Sequence, residues 1–134
     1  MAFDCADPHA QARFWAQVLG TDVEDHAELV DQLVADGRMP AEDRIVLDGR
    51  SAFRDVATCR DASGVEPRMF FQRVPEGKVA KNRVHLDIHV EPSQKAAEVE
   101  RLTALGARLL ATHDDRGPVT YVMADPEGNE FCLH

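Results

Sequence analysis

Two short stretches hold the side chains best suited to chemistry. Over residues 83–90 the polar positions Arg83, His85, Asp87 and His89 alternate with Val84, Leu86, Ile88 and Val90. At the end of the sequence Glu130, Cys132 and His134 alternate with Phe131 and Leu133. Side chains two apart on a strand share a face, so each stretch predicts a strand with one apolar face and one bearing imidazole, carboxylate and thiol groups. Such a face can hold a cation, move a proton or grip an anion. Alternation by itself favours the plainer reading, a face turned to water. A third stretch is cationic: Arg68, Arg73, Lys78, Lys81 and Arg83 are opposed only by Glu76. In a chain of formal charge −9 this is the place that would draw a carboxylate or phosphate, although a solvated loop is the simpler account.

The elements that must position these residues occur twice. Phe3-Asp4-Cys5 precedes Asp7-Pro8, an apolar-periodic stretch and Leu19-Gly20; Leu86-Asp87-Ile88-His89-Val90 precedes Glu91-Pro92, a second such stretch and Leu105-Gly106. An acidic cap, proline at the first helical position and glycine past the end predict a helix in each half. Phe14, Trp15, Val18 and Leu19 make the first apolar stripe and read as core; Ala97, Leu102 and Leu105 make the second. Further strands are expected at 44–47, 54–59 and 68–74, then at 107–112, 119–124 and 129–133. The sequence Asp125-Pro126-Glu127-Gly128-Asn129 marks a turn between the last two. One helix, over 25–35, has no counterpart in the second half; it is expected to cover a cavity mouth or build a subunit contact, with His26 facing solvent.

Composition narrows the function classes. The 134 residues suit one compact domain, and 44% hydrophobic with 29% charged residues is an ordinary globular balance. Twenty-four acidic against 15 basic residues would repel a phosphate backbone, so nucleic acid is not the expected partner. No apolar run approaches the ~20 residues of a membrane span, and Met1-Ala2-Phe3-Asp4 lacks the basic and apolar character of a secretion signal. Cys5, Cys59 and Cys132 are odd in number and widely spaced, reading as reduced thiols. The expectation is a cytoplasmic protein.

The strand–acidic–Pro–helix–Leu-Gly opening, the doubled module, the Arg83-Val84-His85-Leu86-Asp87 strand and the ending from Asp125 to Leu133 resemble the vicinal oxygen chelate superfamily, which includes glyoxalase I, bleomycin-resistance proteins and extradiol dioxygenases. The stretches 71–78 and 81–87 are similar to its small glyoxalase-like domains. The resemblance spans nearly the whole chain, as a single domain over 1–134 with module one at about 1–75 and module two at about 83–134. It implies an α+β fold in which two βαβββ modules form a curved mixed sheet around a cavity, with the extra helix inserted in the first, and assembly as a homodimer.

The resemblance also implies where a metal would sit. The first usual ligand falls before Met1; the second corresponds to Gln72, the third to His85, and the fourth, a Glu in relatives, to Cys132, with Glu130 two residues short of it. One imidazole, one amide and one thiol make an incomplete set for a divalent cation. A rearranged set of His85, His89, Glu130 and Cys132 stays open, because like-parity residues share a face. The expectation is therefore a cavity that binds a small, anionic molecule, lined by His85, Gln72, Glu130 and Cys132 with Arg73 and Arg83 as anion contacts. Asp87 and His89 would stand at its wall or rim, and Phe70 or Phe71 and Met123 would meet apolar ligand parts. The rival is a metal-dependent lyase, isomerase or dioxygenase with His85 and Cys132 among its ligands.

Overall fold

The computed structural model describes residues 1–64, 67–115 and 117–134, in two compact units, Met1–Glu76 and Gly77–His134. The first unit runs β1 (Ala2–Cys5), α1 (Pro8–Leu19), β2 (Asp22–Val23), α2 (Ala27–Ala35), β3 (Arg44–Leu47), β4 (Arg50–Phe53), β5 (Val56–Arg60) and β6 (Met69–Arg73). Its sheet has the order β1-β6-β5-β2, with β1 and β6 parallel and the other pairs antiparallel. Helix α1 starts as its residues dictate: the Asp7 carboxylate accepts from the Ala10 N–H at 3.0 Å, Pro8 opens the helix, and Gly20 closes it at φ 65°. It buries Phe14, Trp15, Ala16 and Val18, and it packs on β5 and β6. The Phe3 ring lies 5.5 Å from Trp15 and 5.7 Å from Phe71, closing the core of this unit.

The second unit repeats the topology with β7 (Leu86–Ile88), α3 (Lys95–Ala104), β8 (Arg108–His113), β9 (Thr120–Ala124) and β10 (Glu130–Leu133). Its order β7-β10-β9-β8, with β7 and β10 parallel, is the order of the first sheet again. Leu102, Met123, Phe131 and Leu133 are fully buried and form its core. The fold is thus two βαβββ modules, with α2 and the β3–β4 hairpin inserted between the second and third strands of the first.

Four expectations need correction. Helix α3 begins at Lys95, not Pro92; Glu91–Gln94 first closes a turn through Gln94 N–H to Glu91 O at 2.8 Å, and Gln94 caps the helix without a side-chain bond. Strand β7 is three residues long rather than eight, and Val84 is 73% exposed instead of packed. Just before this stretch the Asn82 N–H goes to the Glu130 carboxylate rather than to a neighbouring strand. The strand expected at 54–59 is preceded by a separate one, β4, joined to β3 by Asp48-Gly49 at φ 50° and 76°, the left-handed pair a tight hairpin requires. His26 is half-buried rather than turned to solvent. Its Nε2 lies 2.9 Å from Thr58 Oγ1, and its ring lies 5.8 Å from Phe53.

Candidate ligand site

The parallel pairing of β7 with β10 sets Cys132 beside Asp87, Phe131 beside Leu86 and Leu133 beside Ile88. Phe131 and Leu133 are drawn into the core, which leaves Asp87 and Cys132 on the opposite face. His85 precedes this pair along the face, and His89 and His134 follow it. Polar groups are therefore gathered on this face, and several of them are already engaged.

Lys81 Nζ stands 3.1 Å from His85 Nε2. An ammonium can only donate, so Nε2 accepts and the ring proton resides on Nδ1. The Cys132 thiol is pushed above its ordinary pKa, first by burial and then by the charge and hydrogen bonding of Asp87. It stays protonated at neutral pH, a poor nucleophile and a poor metal ligand. At the far end the His89 and His134 rings stack 4.8 Å apart, and His134 Nε2 lies 3.9 Å from Asp87 Oδ2.

Glu130 performs a different task. Its carboxylate accepts from the Asn82 N–H at 2.9 Å, lies 3.3 Å from Lys78 Nζ, and is only 11% exposed. The Asn82 N–H holds its pKa down, helped by the Glu130 N–H and Lys78, and prevails over burial to bring it to about 2. A carboxylate with so weak an affinity for protons makes a poor general base at neutral pH. It anchors the 77–82 segment onto β10.

The other expected site residues are more dispersed. Gln72, on β6 of the first unit, donates through Nε2 to Asp4 Oδ1 at 2.7 Å, across the β1–β6 register. Arg73 lies 3.3 Å from Asp55, and Arg68 pairs with Glu24 and reaches Thr58. The cationic stretch is thus largely neutralised by acids that are distant in sequence. Arg83 is exposed and has no ion pair among the described residues. Phe71 and Met123 are completely buried in the cores of their respective units and offer no surface to a ligand, a correction to their expected role; Phe70, next along β6, is half-buried. Lys81 was expected only as a member of the cationic stretch, not as a partner of His85, and Asn82 was not singled out. A contact to a ring nitrogen or from a backbone N–H carries no signature in residue type or spacing.

The residues present do not fit a divalent cation. His85 Nε2 meets an ammonium, Glu130 is held by Lys78 and Asn82, and the Cys132 thiol stays protonated. Among the described residues no group of three or more His, Cys, Asp or Glu side chains is arranged to hold a metal ion.

The protein-family model for the glyoxalase-like domain matches residues 1–134. Among solved structures, a glyoxalase/bleomycin resistance protein/dioxygenase family enzyme from Burkholderia phytofirmans PsJN is similar with a TM-score of 0.64 at 14% identity, over 99% of this chain and 93% of that one. A mutant of the fosfomycin resistance protein FosX from Listeria monocytogenes, complexed with Mn(II) and 1S,2S-dihydroxypropylphosphonic acid, gives 0.60 at 12%, over 99% and 84%. FosX from Mesorhizobium loti gives 0.62 at 13%, over 100% and 86%. No curated protein matches the chain.

Proposed function

Because the chain belongs to the glyoxalase-like domain family, we propose that it binds a small oxyanion on the polar face of its second unit, through Lys81, His85 and Arg83, with no divalent metal as the gripping group. The observation that carries this reading is the Lys81 ammonium 3.1 Å from His85 Nε2. That nitrogen is the one a cation would need, and a positive charge beside it repels a metal ion and attracts an anion. Arg83 adds a second cation that has no acidic partner among the described residues. Asp87, exposed on the same face, opposes an anion, and the Cys132 thiol is hydrogen-bonded to it, so the grip falls to Lys81 and Arg83. FosX is seen with a phosphonate and with sulfate, which suggests the class: a phosphonate, phosphate or carboxylate on a small body. The role is sequestration, or a transformation in which no metal takes part.

The test is a calorimetric titration with methylphosphonate and with sulfate, in chelator and again with saturating zinc, manganese, nickel or iron. Binding in chelator, weakened at least tenfold in Lys81→Met, is the expected result. A second reading has one observation in its favour, the Mn(II) in FosX: a metal-dependent lyase, isomerase or dioxygenase using His85 and Cys132 in an altered set. Stoichiometric metal in the purified protein, lost in His85→Ala, would establish it and overturn the first.

A further inference from the structure

The first unit contains a cavity that the polar face of the second unit does not involve. The pairing of β2 with β5 covers only Asp22 with Arg60 and Val23 with Cys59, and ends with the Glu24 N–H donating to Thr58 O at 2.9 Å. The chain then leaves the sheet for α2, while β5 continues back to Val56. The inserted hairpin does not refill the space given up by so short an edge strand. A cavity of 230 Å³ remains, floored by Val23, Ala52, Phe53, Val56 and Ala57, with His9 and Arg13 of α1 along one side.

The charged groups around it separate into spent and unspent. Glu24 is paired with Arg68. Asp25 is paired with Arg50 at 2.6 Å and also accepts from the Ala27 N–H at 2.9 Å. His9 Nε2 lies 2.8 Å from Phe53 O, a contact that fixes the ring with its proton on that nitrogen, pointing at the carbonyl. Arg13, one helical turn beyond His9 and on the same side of α1, has no ion pair or hydrogen bond among the described residues. Asp48 is likewise unpaired, but it sits exposed at the tip of the hairpin turn. The cavity thus offers an apolar floor and one uncommitted guanidinium, whose forked donors match a carboxylate. Its volume is below the roughly 300 Å³ at which clefts for drug-sized ligands begin, so the occupant must be small.

We infer that this cavity is a second binding site, for a small monocarboxylate with a compact apolar body, such as a single aromatic ring. The carboxylate meets Arg13 at the mouth, and the ring lies against Phe53, Val56 and Ala57. The site is made by the insertion, so it belongs to chains that carry α2 and the β3–β4 hairpin rather than to the doubled sheet as such.

The experiment is an amide-detected NMR titration of the full chain with benzoate, and with benzamide as the neutral isostere. Benzoate is expected to shift the amides of Ala52, Phe53 and Ala57 with saturation in the low millimolar range or tighter, and benzamide to bind at least tenfold more weakly. Arg13→Gln, an exposed substitution whose spectrum reports that the fold is intact, should weaken benzoate at least tenfold. Asp48→Asn should leave it equal or tighter. Lys81→Met, in the second unit, should leave it unchanged, so that failure of one site is distinguishable from failure of the other. Absence of shifts at these amides, equal binding of benzamide, or binding indifferent to Arg13→Gln but lost in Lys81→Met would each overturn the assignment.

Discussion

Three side chains in this protein are held in states that their residue types alone do not predict. Glu130 is the first. Its folded-state pKa of about 2 lies below the ordinary 4.5, so the stabilisation it supplies is complete above the usual carboxylate range and drains away as pH falls toward 2. Replacing it by Gln removes a charge-assisted bond to the Asn82 N–H and is expected to cost about 1–2 kcal/mol at pH 7. Urea unfolding at pH 7, 4 and 2.5 should show the difference between wild type and Glu130→Gln shrinking with acidity; a constant difference would refute the clamp. Cys132 is the second. Its raised pKa predicts alkylation by iodoacetamide slower than that of a free thiol at pH 7.5, and faster in Asp87→Asn, which removes one of the charges that hold the proton on. Gln11 is the third, 1% exposed on α1 with neither amide atom hydrogen-bonded among the described residues. Burying those atoms without partners costs free energy, so Gln11→Leu should raise the urea midpoint by the equivalent of about 1–2 kcal/mol. A lower midpoint would mean that the amide has partners of its own.

At the scale of elements, the turn between β9 and β10 holds the second sheet's register. Asp125 is fully buried and accepts from the Glu127 N–H at 2.9 Å, the Asn129 N–H at 2.8 Å and the Asn129 side-chain amide at 2.9 Å. Asp125→Ala would orphan these part-buried donors, and a loss of about 2 kcal/mol in chemical denaturation is expected. This turn was legible in the sequence because Asp, Pro, Gly and Asn each have a local reason to be there. Helix α1 was legible for the same kind of reason, since Asp7, Pro8 and Gly20 act on their own neighbours. The start of α3 was not. Glu91-Pro92 carries the same signal, yet the chain spends it on a turn before the helix, and the choice between the two rests on packing. The β3–β4 hairpin has its signal in Asp48-Gly49, but the flanking residues alternate too weakly to mark its two strands.

For the whole molecule, charge and duplication dominate. Most of the acidic surplus lies in Met1–Glu76, where the exposed pairs Asp31–Arg44, Asp25–Arg50 and Asp55–Arg73 leave many carboxylates unmatched. Salt screens those pairs and the surplus alike, but each exposed pair is worth well under about 1 kcal/mol, whereas the repulsion is summed over the whole unit. The thermal midpoint should therefore rise between 0.05 and 1 M sodium chloride, as screening shortens the Debye length to about 3 Å; a fall would show that specific pairs outweigh net charge. No helix among the described residues is long and apolar enough to cross a membrane. The sequence by itself determined the doubled βαβββ plan, the core of α1 and the polar character of the β7 and β10 faces, because these follow from periodicity and from residues acting within a few positions of themselves. Only the tertiary structure decided that Glu130 is a clamp, that Lys81 attends His85, that Arg73 is paired to Asp55, and that a cavity opens where β2 ends. Those outcomes depend on groups brought together across long stretches of chain, where the free energy of a contact is set by burial and by competing partners rather than by residue type.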